Sequence, residues 1–291
     1  MNLIDLLLIN GKSITKNKVP ELPEVHTITN DLKKTLTGAK IVDIKIGPNY
    51  TARPDNNTFV KSIKGKQIVN VKRIAKNILI EMEKGALLHV HLAMTGRILL
   101  TDKESLDNWT RVSFKLDVAN KHKFLKFTDV RKFGKIGFFP DITSTGLLTK
   151  YGPDLVSSPP TIESFAKSIK KKNSSIKTVL LDQKVVAGLG NIYATDALFL
   201  AGIDPSRNSR SLTEEELEKL LKAAISVLNE GIQHRGSTMP DKMYVDIFGK
   251  SGSYQEHFKM YLHSKCPKCG GNVINKKING RGSYFCPNCQ K

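Results

Sequence analysis

Two cysteine pairs stand near the C-terminus, Cys266-x2-Cys269 and Cys286-x2-Cys289, with 16 residues between them. Two such knuckles can deliver four thiolates to one tetrahedral Zn²⁺, which fills the metal's coordination sphere and leaves no open position for water. The chemistry expected of such an ion is structural. All four cysteines of the chain fall in its last 26 residues, a clustering that scattered disulfides would not give. Between the knuckles, "NVINKKINGRGSYF" reads as a β-hairpin turning at Asn279-Gly280, with Arg281 beside the tip. An arginine on a pinned hairpin is well suited to gripping phosphate, although a lone arginine is equally at home in solvent.

A second unusual stretch, "KNKVPELPEVHT", sets Pro20, Glu21, Pro23 and Glu24 at the mouth of a helix. Val25, Ile28, Leu32 and Leu36 then fall on one face, and Gly38 ends the run. Prolines are tolerated in a first turn, whose N–H groups have no internal partner. Acidic residues favour the same turn, which explains Glu24 nearly as well as a part in orienting a site there.

The elements that must carry these groups follow from periodicity. Seven stretches between Lys40 and Pro140 alternate or run apolar: "KIVDIKI", "QIVNVKRI", "NILIEM", "LLHVHLAM", "RVSFKLDV", "KFLKFTDV" and "KIGFFP". With one helix beside them they predict a two-layer β-sandwich. Pro, Gly and Ser concentrate near 141–160, a linker. Helical patterns follow in "TIESFAKSIKKK", "SSIKTVLLDQ" with Ser174 or Ser175 as N-cap, "GNIYATDALFLAG", and "LTEEELEKLLKAAISVLNEGIQ", opened by a Thr213-x-x-Glu216 capping box. "RGSTMPDKMYVDIFGKSGSYQE" reads as a long loop.

The formal net charge of +19 points to a polyanionic partner, nucleic acid ahead of an acidic membrane surface. No apolar run reaches the ~20 residues that cross a bilayer. The opening "MNLIDLLLIN" has neither a basic region before it nor a small-residue cleavage site after it, so it does not read as a signal peptide.

"PELPEV", "DVRKFG", "LLDQKVVAGLGNIYATDAL" and the four-cysteine tail occur in that order and together resemble the formamidopyrimidine-DNA glycosylase family, relatives of endonuclease VIII. The likeness runs from about Pro20 to Lys291, and the leucine at position 22 looks like the formamidopyrimidine branch. The resemblance implies an α+β multidomain fold: an N-terminal β-sandwich with a leading helix, a helix–two-turn–helix domain and a zinc finger holding one Zn²⁺. Expected boundaries are 1–19 for an extension, 20–145, a linker at 146–160, 161–262 and 263–291. The implied activity is excision of oxidised purines, notably formamidopyrimidines and 8-oxoguanine, from double-stranded DNA, followed by β,δ-elimination at the abasic site. A monomeric, cytoplasmic, nucleoid-associated bacterial-type enzyme with no membrane partner is expected.

The resemblance also implies roles. The Pro20 amine would attack the sugar C1′ and form an iminium, with Glu21 protonating the opening sugar ring. A terminal amine has a pKa of about 8, against about 10.4 for lysine, so more of it is neutral near pH 7. Lys76 would reach phosphate and assist proton transfer. Arg281 would clamp the phosphates flanking the lesion. Met94, Arg131 and Phe133 would fill the hole left by the flipped nucleotide; alone, Met94 and Phe133 read as core. Asn191 would bind phosphate, Lys172 and Lys177 would lie near the DNA or the base, and the loop with Ser237 and Thr238 would cap the lesion.

Departures are few. Trp109 stands where many relatives carry a DNA-contacting histidine, Asp196 where glutamate is common, and the approach to the zinc finger is short. The largest departure is Val19. With Val19 in place the Pro20 nitrogen is an amide and cannot form an iminium. Val19 is expected to mark an alternative start codon, with Met removal exposing Pro20; proteolytic trimming, or a blocked, non-catalytic zinc-containing binder of damaged DNA, are the other readings. A preference for oxidised pyrimidines is the rival within the enzyme class.

Overall fold

The computed structural model describes residues 19–291. The expected extension therefore lies, except for Val19, outside the described residues. The chain divides into two compact units. The first comprises Pro20, Glu24–Thr149 and Arg235–Gly252; the second comprises Glu21–Pro23, Lys150–His234 and Ser253–Lys291.

The first unit is the expected sandwich, with eight strands. One antiparallel sheet runs β1 (Lys40–Ile46), β6 (Thr110–Val118), β7 (Lys121–Asp129), β5 (Gly96–Thr101); the other runs β2 (Ile68–Ile74), β3 (Asn77–Met82), β4 (Leu87–His91), β8 (Lys135–Phe139). Helix α1 (Leu22–Leu36) sends Val25, Ile28, Leu32 and Leu36 into this core, and Gly38 follows at φ 90°. Two elements differ from the sequence expectation. β5, "GRILLT", follows β4 too closely and alternates too poorly to read as a separate strand. Helix α2 (Asn56–Ile63) opens on two asparagines, poor helix formers, yet the Asp55 side chain accepts from Thr58 N at 2.9 Å and Phe59 and Ile63, one turn apart, are buried. The Phe59 and Phe114 rings lie 6.2 Å apart, which fastens α2 to β6.

The segment Arg235–Gly252, expected with the helical domain, is part of the first unit. Local periodicity could not show this, because its ties are long-range. Leu100 N donates to Ile247 O at 2.7 Å, Tyr244 and Ile247 enter the core, and Arg235 pairs with both Asp31 (2.5 Å) and Asp246 (2.7 Å).

The short α3 (Leu147–Lys150) closes the long stretch of the first unit, and the second unit contains α4 (Ile162–Lys170), α5 (Ile176–Leu181), α6 (Asn191–Leu200) and α7 (Glu214–Gln233). Ser175 caps α5, and the Thr213–Glu216 capping box is formed in both directions. The finger hairpin, β9 (Ile274–Ile278) and β10 (Arg281–Phe285), turns at Asn279 (φ 45°) and Gly280 (φ 73°), the paired positive φ of a two-residue hairpin. The finger is fused to the helices: Lys291 N donates to Gly202 O, Asp204 N to Lys291 O, and Gln290 Nε2 to Ile203 O. Among the described residues no helix is long and apolar enough to cross a membrane.

Replacing Phe59 with alanine is expected to lower the stability of the sandwich unit by about 3–5 kcal/mol, read as an earlier transition in urea denaturation with the helical unit's transition unmoved.

Candidate functional site

The second unit builds its site on the N-terminus of α6. Glu21 is only 4% exposed. Its carboxylate accepts from Gly190 N (2.7 Å), Ile192 N (2.9 Å) and Tyr193 N (3.3 Å). A helix N-terminus leaves these N–H groups without internal partners and carries partial positive charge, so a carboxylate satisfies both demands at once. The "GLG" of residues 188–190 permits the approach. A Cβ on Gly190 would stand 2.3 Å from Glu21 Cδ, and one on Gly188 2.3 Å from Leu22 Cδ1. Leu22 N donates to Gly188 O at 3.1 Å, so "PEL" and "GLGN" are the two sides of one joint.

Lys177 is 1% exposed. Its ammonium donates to Thr195 Oγ1 (2.9 Å) and to Gly282 O (3.2 Å). Burial lowers its pKa from 10.5 to about 7, against the pull of Glu21 and Asp196, and Arg281 lowers it further. Asn191 Nδ2 also donates to Gly282 O, at 3.1 Å, while its Oδ1 is buried without a hydrogen-bond partner. Thus Glu21, Lys177, Asn191 and the start of β10, where Arg281 is half-buried, are brought together. Lys172 is not; it is exposed and pairs with Asp182 at 2.9 Å. Asp196, fully buried, accepts from Met260 N and Tyr261 N (both 2.9 Å) and from the Tyr254 hydroxyl (3.0 Å), so it anchors the chain entering the finger.

The four Sγ atoms lie within 4.8 Å of one another, with Cys266–Cys289 at 3.8 Å and Cys269–Cys286 at 3.5 Å. Those spacings fit the ~3.8 Å edge of a tetrahedron with Zn–S bonds of about 2.3 Å, and are far beyond a disulfide's 2.0 Å or so. The cysteines hold one structural zinc.

In the first unit the "DVRKFG" turn is held by Asp129, fully buried, which accepts from Thr95 Oγ1, Arg131 N (3.1 Å) and Gly134 N (2.6 Å). The turn presents Arg131 and Phe133, and Met94 joins them from the β4–β5 connection. The Arg131 guanidinium lies 4.5 Å from the centroid of the Phe133 ring and contacts Met94 Sδ at 3.7 Å. Phe133 is 48% exposed, so the packing explanation fails for it. Trp109 is exposed beside this turn; its carbonyl accepts from Asp129 N at 2.9 Å. Lys76 occupies the tip of the two-residue β2–β3 turn, after Ala75 at φ 53°, and Asn77 Nδ2 braces the turn through Ile74 O (3.0 Å). Pro20 is buried ahead of α1.

Sequence reasoning left Glu24 undecided and missed its partners. Glu24, buried in the first unit, accepts from Ser237 N (2.7 Å) and Ser237 Oγ (3.2 Å), with Gly236 at φ 77° giving the close approach. Thr238 is buried as well, donating to Tyr244 O and accepting from Gly252 N. The separation of 213 residues between Glu24 and Ser237 leaves no local signal.

A strand sandwich, a helical unit whose buried glutamate caps the helix after a glycine-rich turn, and a closed four-thiolate finger together define a DNA glycosylase of the helix–two-turn–helix class. Three family models match in series: the formamidopyrimidine-DNA glycosylase N-terminal domain over residues 19–136, the H2TH domain of the same enzyme over 151–242, and the zinc finger found in FPG and IleRS over 264–291. Formamidopyrimidine-DNA glycosylases from Desulforamulus reducens (40% identical) and Pelotomaculum thermopropionicum (38%) each align with 94% of this chain and 99% of their own. The crystal structure of Lactococcus lactis Fpg with abasic-site DNA superposes with a TM-score of 0.84 at 30% identity, covering 94% of this chain and 100% of that one. The Fpg protein of Thermus thermophilus superposes with a TM-score of 0.82 at 33% identity, covering 93% and 98%. The chain belongs to the formamidopyrimidine-DNA glycosylase family, and is a DNA glycosylase of base excision repair.

Two outcomes follow from this geometry. Gly190→Ala is expected to displace Glu21 and lower glycosylase turnover about 100-fold, measured on a lesion duplex under single-turnover conditions. The second concerns Lys177, whose folded-state pKa of about 7 lies below its ordinary 10.5. Between those values the unfolded chain binds the extra proton, so its contribution makes stability rise with pH across that window, by up to about 1.4 kcal/mol per unit. Below pH 7 its contribution is flat and unfavourable. Lys177→Met should therefore flatten the pH dependence of chemical denaturation between pH 7 and 10 relative to wild type.

Proposed function

We propose that this chain, in a form beginning at Pro20, removes oxidised purines such as formamidopyrimidines and 8-oxoguanine from duplex DNA and then cleaves the strand at the abasic site. The observation that carries the reading is the Glu21 clamp. Three backbone N–H groups hold residue 21, and thereby restrict the nitrogen of the residue bonded to it.

The free secondary amine of Pro20 donates its lone pair to C1′ as the bond to the base breaks and the base leaves with a proton. Loss of the amine hydrogen and opening of the sugar ring, its oxygen taking up a proton, leave an iminium. The positive nitrogen acidifies the C2′ hydrogen. Its removal expels the 3′ phosphate, and a second elimination expels the 5′ phosphate. Glu21 is the ring-side acid. The Lys177 charge, whose pKa burial lowers to about 7, acts on Glu21 through the field at this helix end. Lys76, Asn191 and Arg281 bind phosphate; Met94, Arg131 and Phe133 occupy the space of the extruded nucleotide. An exposed ring with a guanidinium stacked on it supports that role for Phe133 and Arg131. The enzyme acts as a cytoplasmic monomer, and its charge of +19 draws it to DNA in a salt-dependent manner.

With Val19 attached, the Pro20 nitrogen is an amide whose lone pair is delocalised into the carbonyl. Borohydride trapping on an 8-oxoguanine duplex should give a covalent adduct with protein starting at Pro20 and none with the 291-residue chain, while both forms retain salt-sensitive binding. Equal trapping by the two forms would remove Pro20 from the mechanism.

A further inference from the structure

A second group of metal-ligand side chains lies in the helical unit, apart from the cysteines. Glu230 and His234 stand one turn apart at the C-terminal end of α7, and His257 comes from the segment that follows Ser253. One ligand atom from each of the three lies within 4.8 Å of the others. We propose that Glu230, His234 and His257 form a binding site for a second divalent transition-metal ion of the zinc, cobalt or nickel type. Two imidazoles and one carboxylate are a donor set suited to such ions, with room left for water.

Neighbouring groups orient two of the three ligands. The Ser253 hydroxyl lies 3.5 Å from His234 O and 3.2 Å from His234 Nδ1, so when it donates to the carbonyl it accepts from Nδ1–H. That tautomer leaves the Nε2 lone pair for a metal. Lys259 Nζ holds Glu230 Oε1 at 2.6 Å, leaving Oε2 for the ion. Helix α7 has no basic residue in its last turn, so the negative end of a 20-residue helix stands behind the site and favours a cation. The His234 and His257 rings are stacked, with centroids 3.7 Å apart and planes 26° apart. Ring lone pairs lie in the ring plane, so loading requires one imidazole to turn about its Cβ–Cγ bond until both nitrogens face one ion. Both histidines are only partly buried. The Lys259 ammonium opposes a divalent charge, so the site is weaker than the thiolate cluster. Loaded, it ties the chain at Ser253–His257 to the end of α7, just ahead of the residues that Asp196 anchors.

The test is a metal count on the zinc-loaded protein after equilibration with micromolar free Zn²⁺ and desalting under the same buffer. Wild type is expected to hold two zinc ions per chain, His257→Ala and Glu230→Gln one each, and the control His122→Ala two. Co²⁺ added to wild type carrying a single zinc, in the thiolate cluster, should give d–d absorption without a thiolate charge-transfer band, and this reads the site even if a variant fails to fold. A wild-type count of one, or a second ion retained by His257→Ala and Glu230→Gln, or cobalt spectra showing thiolate ligation alone, would overturn the proposal. None of these readouts depends on glycosylase activity, so the result stands apart from the role of Pro20.

Discussion

The second unit depends on a carboxylate seated against the open end of a helix. Glu21 satisfies three N–H groups at the start of α6 that would otherwise be buried without partners, and those N–H groups in turn hold a charge that burial alone would make costly. Neither side is stable without the other. The two glycines at 188 and 190 are where they are because any side chain would occupy the space of Leu22 and Glu21. A helix N-terminus that in other proteins receives phosphate here receives part of the protein's own leading segment.

The same device recurs. Asp129 holds the turn that presents Arg131 and Phe133, Asp196 holds the chain entering the finger, and Glu24 holds Ser237. Each is a buried acid accepting at least one backbone N–H from a segment without regular structure. Loops that must keep a fixed shape cannot rely on a ladder of backbone bonds, and a buried carboxylate replaces that ladder with several short, charge-assisted bonds at one point. The acid is fixed in turn by the helix or strand that carries it.

Much of this was legible in the sequence, for identifiable reasons. The cysteine spacing, the Asn279-Gly280 turn and the Thr213–Glu216 box are local patterns whose physics is complete within a few residues, and each appears as read. The leading helix was visible from the spacing of Val25, Ile28, Leu32 and Leu36. Helix α2 was hidden by its asparagines, although Asp55 and the Phe59–Ile63 spacing marked it. Strand β5 was hidden by its short distance from β4. What the sequence could not show is pairing at a distance. Arg235 with Asp31, Glu24 with Ser237 and Lys177 with Gly282 join residues more than a hundred positions apart. For the same reason nothing local in residues 235–252 points to the sandwich unit that they join. Phe133 read as core from its type alone, and only its exposure separates a packed ring from a presented one.

The carbonyl of Gly282 accepts from both Lys177 and Asn191. One oxygen of the finger hairpin thus accepts from the buried Lys177 and from the half-buried Asn191 of the helices. Stripping the metal would therefore be felt well inside the helical unit, because a hairpin that drifts takes a partner from a buried ammonium. Oxidants or chelators that attack the thiolates would in this way disturb the surroundings of Lys177 without ever entering them.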